Sequence, residues 1–194
     1  MIFDSLGLPR PTGACDFNDS AAIAGIMETF SHPTYINLSQ YIVIDKYVRH
    51  PLESKYDFSR DQTLCLMAGL WSQKRFHCVD LGFVKGKDWF SPGHKGHVKR
   101  CKNEKANWFQ DLWLKAEILF HAKITPLEEP NQMLCMAMVA GPEYVKLWTN
   151  NNKQWQRGIR DYFCGWRQEP ELAELMIHKI SNIDTDKEST WKKA

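Results

Sequence analysis

Apolar residues recur at helical spacing through most of this chain. Ile23, Ile26, Met27 and Phe30 fall on one face of a helix that Asn18 or Asp19 is chemically suited to cap, and His32-Pro33 ends it. Residues 35–48 carry two periods. Tyr41, Ile42, Val43 and Ile44 suit a strand, whereas Leu38, Tyr41, Ile42 and Asp45 suit a helical turn; the helical text on either side favours helix. After the loop at Arg49-His50-Pro51, Ser59-Arg60-Asp61-Gln62 has the form of a capping box. It opens a helix with Leu64, Met67, Ala68 and Trp71 on its apolar face.

Residues 80–103 lack a helical period, and Gly82, Gly86, Pro92, Gly93 and Gly96 predict a long loop. A strong helix follows over 104–123, striped by Trp108, Leu112, Ala116, Leu119 and Phe120, and then one over 131–140 that is apolar all round and so belongs in the centre of a core. Gly141-Pro142 starts another, carrying Tyr144, Leu147 and Trp148, which Asn150-Asn151-Asn152 interrupts. Trp155, Ile159, Tyr162 and Phe163 share the next face, with Gly165 as its stop. Pro170 opens the last helix, with Leu172, Leu175, Met176 and Ile180 turned inward. Six or seven helices and few strands predict an all-α fold, a multi-helix domain with one long basic loop.

Its 194 residues suffice for one domain with a real core. The expected organisation is an extended Pro- and Gly-rich arm over 1–15, a helical domain over 16–182 and a polar tail over 183–194. A hydrophobic fraction of 43% and a formal charge of +2 argue against disorder and against a global field that demands a nucleic-acid or membrane partner. No apolar run approaches bilayer length and no secretory leader opens the sequence, so a cytoplasmic setting is expected. Cys65, Cys135 and Cys164 stand in apolar or aromatic text, which in a reducing compartment predicts free thiols.

Chemistry concentrates first where helices begin. Asp16, Asp19 and Ser20 precede one helix; Arg49-His50 and Ser59-Arg60-Asp61-Gln62 precede another. Helix starts that converge on one rim orient carboxylates, an imidazole and guanidinium groups around a polar ligand. Asp19, His50 and Asp61 are the candidate acids and bases. Asp16, Arg49, Arg60 and Gln62 are candidate ligand contacts, an Arg being suited to hold an anionic group in bidentate fashion. The plainer alternative is that Asp19 and Ser59 are ordinary caps, that Asp61 suits the helix dipole and that Arg49 pairs with Asp57 or Asp61.

Over residues 16–71, the Asp-x-x-Asp-Ser start, the Arg-His-Pro loop and the Ser-Arg-Asp-Gln helix opening together resemble uncharacterised phage and bacterial proteins related to α/α-toroid carbohydrate-active proteins. The resemblance implies paired helices around a cleft, a partial toroid at this length, and a glycan ligand. A catalytic tetrad is not placed downstream, so binding and processing of the glycan both stand open.

A second cluster is basic. Lys85, Lys87, Lys95, Lys99, Arg100, Lys102 and Lys105 are offset only by Asp88 and Glu104, with Trp89 and Phe90 nearby. Within 85–105, Lys95, Lys99 and Arg100 would grip an anionic glycan, a nucleic acid or another host macromolecule. On this alternative the chain is a non-enzymatic, virus-encoded interaction protein or a small virion component; a solvated loop is the plainer reading. His94, His97 and Cys101, with His77-Cys78 upstream, are metal-capable, but Lys95, Lys99 and Arg100 among them oppose a cation, and neither metal nor cofactor is expected. Trp148, Trp155, Tyr162, Phe163 and Trp166 could stack on sugar rings, yet their helical spacing favours core packing. The sequence has no P-loop, dinucleotide fingerprint, Gly-x-Ser-x-Gly elbow or His-Glu-x-x-His motif.

Overall fold

The computed structural model describes residues 1–10, 19–43, 47–53, 60–73, 75, 77–81, 96–100 and 141–183. This part is predominantly helical. Its helices are α1 (Ser20–Thr29), α2 (Arg60–Ser72), α3 (Pro142–Asn151), α4 (Trp155–Arg160) and α5 (Pro170–Ser181), with a 3-10 turn at Leu38–Tyr41 and a wider π-helical segment at Asp161–Arg167. Three antiparallel two-stranded pairs accompany them: β1 (Ile2–Phe3) with β2 (Pro9–Arg10), β3 (Ile42–Val43) with β4 (Tyr47–Val48), and β5 (His77–Leu81) with β6 (Gly96–Arg100). The expected helices over 104–123 and 131–140 lie outside the described residues. Among the described residues no helix is long and apolar enough to cross a membrane.

The α1–α2 pair forms the centre. Every residue of α1 except Glu28 is buried, so the helix is enclosed on all sides rather than amphipathic, and Cys65 through Trp71 of α2 are buried as well. The two backbones touch at glycine. A Cβ at Gly25 would sit 2.1 Å from the Cys65 carbonyl oxygen, and one at Gly69 would sit 2.8 Å from the Gly25 Cα. Only a residue without a side chain permits that approach.

Hydrogen bonds fix the sense of the pair. Gln73, just past α2, donates to the Ile36 carbonyl (2.9 Å), and the Ile36 N–H donates to Glu28 Oε1 near the end of α1 (2.6 Å). Both helices therefore end on one side and begin together on the other. Around them Leu8, Phe30, Leu38, Tyr41, Val48, Trp148, Ile159, Phe163, Leu172 and Met176 complete a continuous core.

Several expectations fail for physical reasons. The helix favoured over residues 35–48 is instead a 3-10 turn followed by the β3–β4 pair, closed by Arg49 N–H on the Tyr41 carbonyl (2.9 Å). The β-branched Ile42 and Val43 prefer extended backbone, and here that preference wins over the helical neighbours. The loop expected over 80–103 begins and nearly ends in strand, with Asp80 opposite His97 and Leu81 opposite Gly96. Residues 1–10 are a hairpin rather than an extended arm, with Leu8 fully buried. Gly165 does not end its segment. The helix widens at Asp161 and runs to Arg167, where Gln168 in left-handed backbone (φ 55°) stops it and the Glu169 N–H reaches the Phe163 carbonyl (2.8 Å).

Other boundaries stand where the sequence puts them. Asn152 breaks α3 from α4, Pro142 and Pro170 occupy first turns, and Leu172, Met176 and Ile180 face inward.

Candidate functional site

A set of polar groups gathers at the start of α1, beneath the β1–β2 hairpin. Asp4 makes the turn of that hairpin. Its Oδ1 accepts the N–H groups of Leu6 (2.8 Å) and Leu8 (3.0 Å), while its backbone N–H donates to the Leu8 carbonyl (3.0 Å). Such Asx geometry is what an Asp before a Ser-Leu-Gly turn offers, with Gly7 supplying the positive φ of 72°. The second carboxylate oxygen, Oδ2, lies 2.6 Å from Nε2 of His50.

His50 is 1% exposed. Its Nδ1 accepts the Leu52 N–H at 3.2 Å. A neutral imidazole carries one proton, so that proton sits on Nε2 and is donated to Asp4. Burial pushes the imidazole pKa down, against the pull of the Asp4 and Glu53 carboxylates and with the Arg10 cation adding to the decrease. For Asp4, burial acts upward, but the bonds from Leu8, Leu6 and His50 outweigh it and hold the carboxyl below its ordinary range.

The Tyr41 and His50 rings meet in a T-shaped contact at a centroid distance of 6.0 Å. Ser20, the first residue of α1, donates from Oγ to the Pro9 carbonyl (2.5 Å), and Tyr41 Oη lies 2.8 Å from the same Oγ. Because the Ser20 proton is committed to Pro9, the phenol donates to Ser20. Burial raises the Tyr41 pKa well above the usual phenol value and keeps it a neutral donor. Arg49 (7% exposed) and Gln62 (3% exposed) are also buried, bringing a guanidinium and an amide to the same set of elements. A Ser, a His and an Asp thus lie close together without forming a nucleophilic triad. Nε2 faces the carboxylate, Nδ1 faces a backbone N–H, and the serine is bonded elsewhere.

Asp19 departs from its expected role as a cap. It takes left-handed backbone (φ 63°) and makes no side-chain bond to the helix start; its Oδ2 accepts the Tyr162 hydroxyl at 3.4 Å. Arg60 and Asp61 form the first residues of α2, as the capping-box reading requires, although Ser59 and the side chains of Arg60 and Asp61 lie outside the described part. Asp16 and Lys95 are likewise outside it. Lys99 and Arg100 stand on β6 at the register positions of Cys78 and His77, 39 and 40 residues on from Arg60 along the chain. His94 and Cys101 are not described, and among the described residues no three His, Cys, Asp or Glu side chains are placed to hold a metal ion.

Of the aromatic set, Trp148 and Phe163 are fully buried. Trp155 and Tyr162 are half-buried against them in edge contacts (6.4 Å for Trp148–Trp155, 4.9 Å for Tyr162–Phe163). Core packing accounts for these rings. Arg157 pairs with Asp161 (3.5 Å), Arg160 pairs with Glu174 (2.8 Å), and the buried Glu169 takes the Met1 ammonium (3.0 Å).

Asp4 is the residue that sequence reading missed, although the Asp-Ser-Leu-Gly turn was there to find. No family model matches the chain, and neither a curated protein nor a solved structure is similar to it.

Proposed function

We propose that this protein binds a glycan at the common start of α1 and α2, using the Ser20, Arg49–His50 and Gln62 segments, with Asp16, Asp19, Arg60 and Asp61 as the further contacts the sequence offers. The observation that carries the reading is the burial of Ser20, Arg49, His50 and Gln62, each no more than 7% exposed, on elements distant in sequence. Burying a guanidinium, an imidazole and an amide costs several kcal/mol in desolvation unless each is well partnered, and apolar residues would fill the same volume at less cost. The guanidinium, imidazole and amide brought to these elements are the kinds of group that recognise a polar ligand.

Glycans present hydroxyls and, in acidic sugars, carboxylates, which these donors match. The resemblance of residues 16–71 to α/α-toroid carbohydrate-active proteins points the same way, and on that reading the described helices are part of a partial toroid of six or seven.

Binding is the better supported half of the reading, because both nitrogens of His50 are engaged. Processing would assign acid and base to Asp19 and Asp61. Titration calorimetry against neutral and acidic oligosaccharides tests the proposal. The wild type should bind, and Arg49→Lys and Gln62→Leu should lose at least tenfold in affinity while keeping a cooperative melt. Lys99→Glu with Arg100→Glu should leave affinity unchanged. If the rim variants bind as well as wild type, or if only the Lys99 and Arg100 double variant loses binding, the reading is overturned in favour of the basic segment.

A further inference from the structure

The β1–β2 hairpin lies over the polar cluster and reaches the helical core through Leu8. Ile2 and Phe3 of β1 and Leu6 of the turn are all more than a third exposed, whereas Leu8 and Pro9 are buried. Its attachment is otherwise polar. Asp4 holds His50 at 2.6 Å, the Pro9 carbonyl accepts from Ser20 at 2.5 Å, and the Met1 ammonium meets Glu169 at 3.0 Å. One of those tethers ends on Ser20 at the start of α1 and another on His50 in the loop after β4. Lifting the hairpin would therefore uncover the Ser20 hydroxyl and the Nε2 edge of His50 without unpacking Gly25 from Gly69.

We propose that the β1–β2 hairpin is a releasable strap over Ser20, Tyr41 and His50, and that protonation of His50 releases it.

The charge environment sets the direction. Among the described residues, the groups that act on the imidazole are Asp4 and Arg10 from the hairpin and Glu53 from its own turn, and the neutral Tyr41 ring makes a T-shaped contact with it. In the closed form the imidazole is desolvated and neutral, with Nδ1 used as an acceptor for Leu52 N–H. A second proton would turn Nδ1 into a donor facing another donor. In the open form the ring is solvated and takes its ordinary affinity for protons, near pKa 6.5. The open state therefore binds more protons below that value, and acid shifts the balance toward it. The closed state is fully favoured above about pH 6.5 and loses ground as pH falls, by up to tenfold in the opening constant per pH unit for one proton.

The inference rests on the glycan reading only in naming what opening exposes. Its test needs no ligand. Amide hydrogen exchange, corrected for the intrinsic pH dependence of the chemistry, is followed by mass spectrometry on peptides covering 1–10 and 20–29. In the wild type, exchange at Asp4, Gly7 and Leu8 should speed up by roughly three- to tenfold between about pH 6.5 and pH 5.5, with α1 unchanged. His50→Gln, which keeps a donor for Asp4 but does not titrate, should give a flat profile. Asp4→Asn should open the hairpin at every pH while leaving α1 protected, and it serves as the second variant should His50→Gln fail to fold. A flat wild-type profile, an Asp4→Asn hairpin as protected as wild type, or α1 exchanging in step with the hairpin would each overturn the strap. Loss of oligosaccharide binding with an intact exchange profile would count against the glycan reading alone.

Discussion

Replacing Gly25 by alanine tests the central packing on which the site depends. The added Cβ would sit 2.1 Å from the Cys65 carbonyl oxygen, 2.3 Å from its carbon and 2.6 Å from the Leu66 nitrogen. Ordinary contact begins at 3.4 Å, so the gap to be made at the oxygen is 3.4 − 2.1 = 1.3 Å. All three obstructing atoms are backbone within a helix, so no side chain can rotate away. Nor can α1 retreat freely, since its other faces are enclosed by the core. Overpacking of this kind costs about 1–3 kcal/mol and sometimes more. The rigidity of both partners places Gly25→Ala at or beyond the top of that range. Against it stands the gain of about 1 kcal/mol from replacing a mid-helix glycine by alanine. The net expectation is a loss of about 2 kcal/mol or more, a large part of the ~5–15 kcal/mol typical of a domain. Urea denaturation followed by circular dichroism and by tryptophan fluorescence measures it, Trp71 and Trp148 being buried reporters. Gly69→Ala, whose Cβ would meet Gly25 Cα at 2.8 Å and Leu38 Cδ1 at 2.7 Å, should show a loss of the same sign. A Gly25→Ala midpoint equal to or above wild type would refute the direct backbone contact.

Two further outcomes follow from individual contacts. Ser20→Ala strands both the Tyr41 hydroxyl and the Pro9 carbonyl in a buried setting and should cost about 1–3 kcal/mol, whereas Tyr41→Phe leaves the Ser20–Pro9 bond intact and should cost less. The reverse order in equilibrium denaturation would contradict the assigned bond directions. Glu174→Gln should leave the melting temperature unchanged, because its partner Arg160 is at the surface with it and solvent screens the pair; a clear drop in a thermal melt would show otherwise.

Local chemistry made some of this legible in sequence and left the rest hidden. Pro142, Asn152 and Pro170 act through the backbone of their own neighbourhood, so the punctuation of α3, α4 and α5 could be read directly. The stripe Ile23, Ile26, Met27 and Phe30 correctly marks a helix, but periodicity reports only the most apolar face. Small residues on the other faces, Ala21, Ala22, Ala24 and Gly25, gave no hint that α1 is enclosed, because Ala and Gly are as compatible with a tight helix contact as with solvent. Residues 35–48 went wrong because the two periods coincide over so short a run, and the decisive pairing of Ile42 with Val48 is a tertiary fact. Asp19 looked like a cap by type and position, yet its left-handed backbone turns the carboxylate to Tyr162, 143 residues away. The Asp4–His50 pair spans 46 residues, and no local rule links them.

That long-range pair also decides what kind of chemistry the cluster supports. A general base needs a free lone pair within reach of the proton it removes, and a general acid needs a proton not already committed. With the hairpin closed, His50 has neither: Nε2–H is given to Asp4, and the Nδ1 lone pair is taken by Leu52. Asp4 is a weak substitute, since the three donors on its carboxylate hold its pKa below the ordinary range and so lower its basicity. The closed arrangement therefore offers no acid–base chemistry at His50. Acid–base work by His50 becomes chemically available only when the hairpin lifts and Nε2 loses its carboxylate partner. The strap and a catalytic use of His50 are thus linked in one direction. A closed hairpin under every condition would leave His50 a structural tether, and any processing of a bound glycan would fall to Asp19 and Asp61 alone.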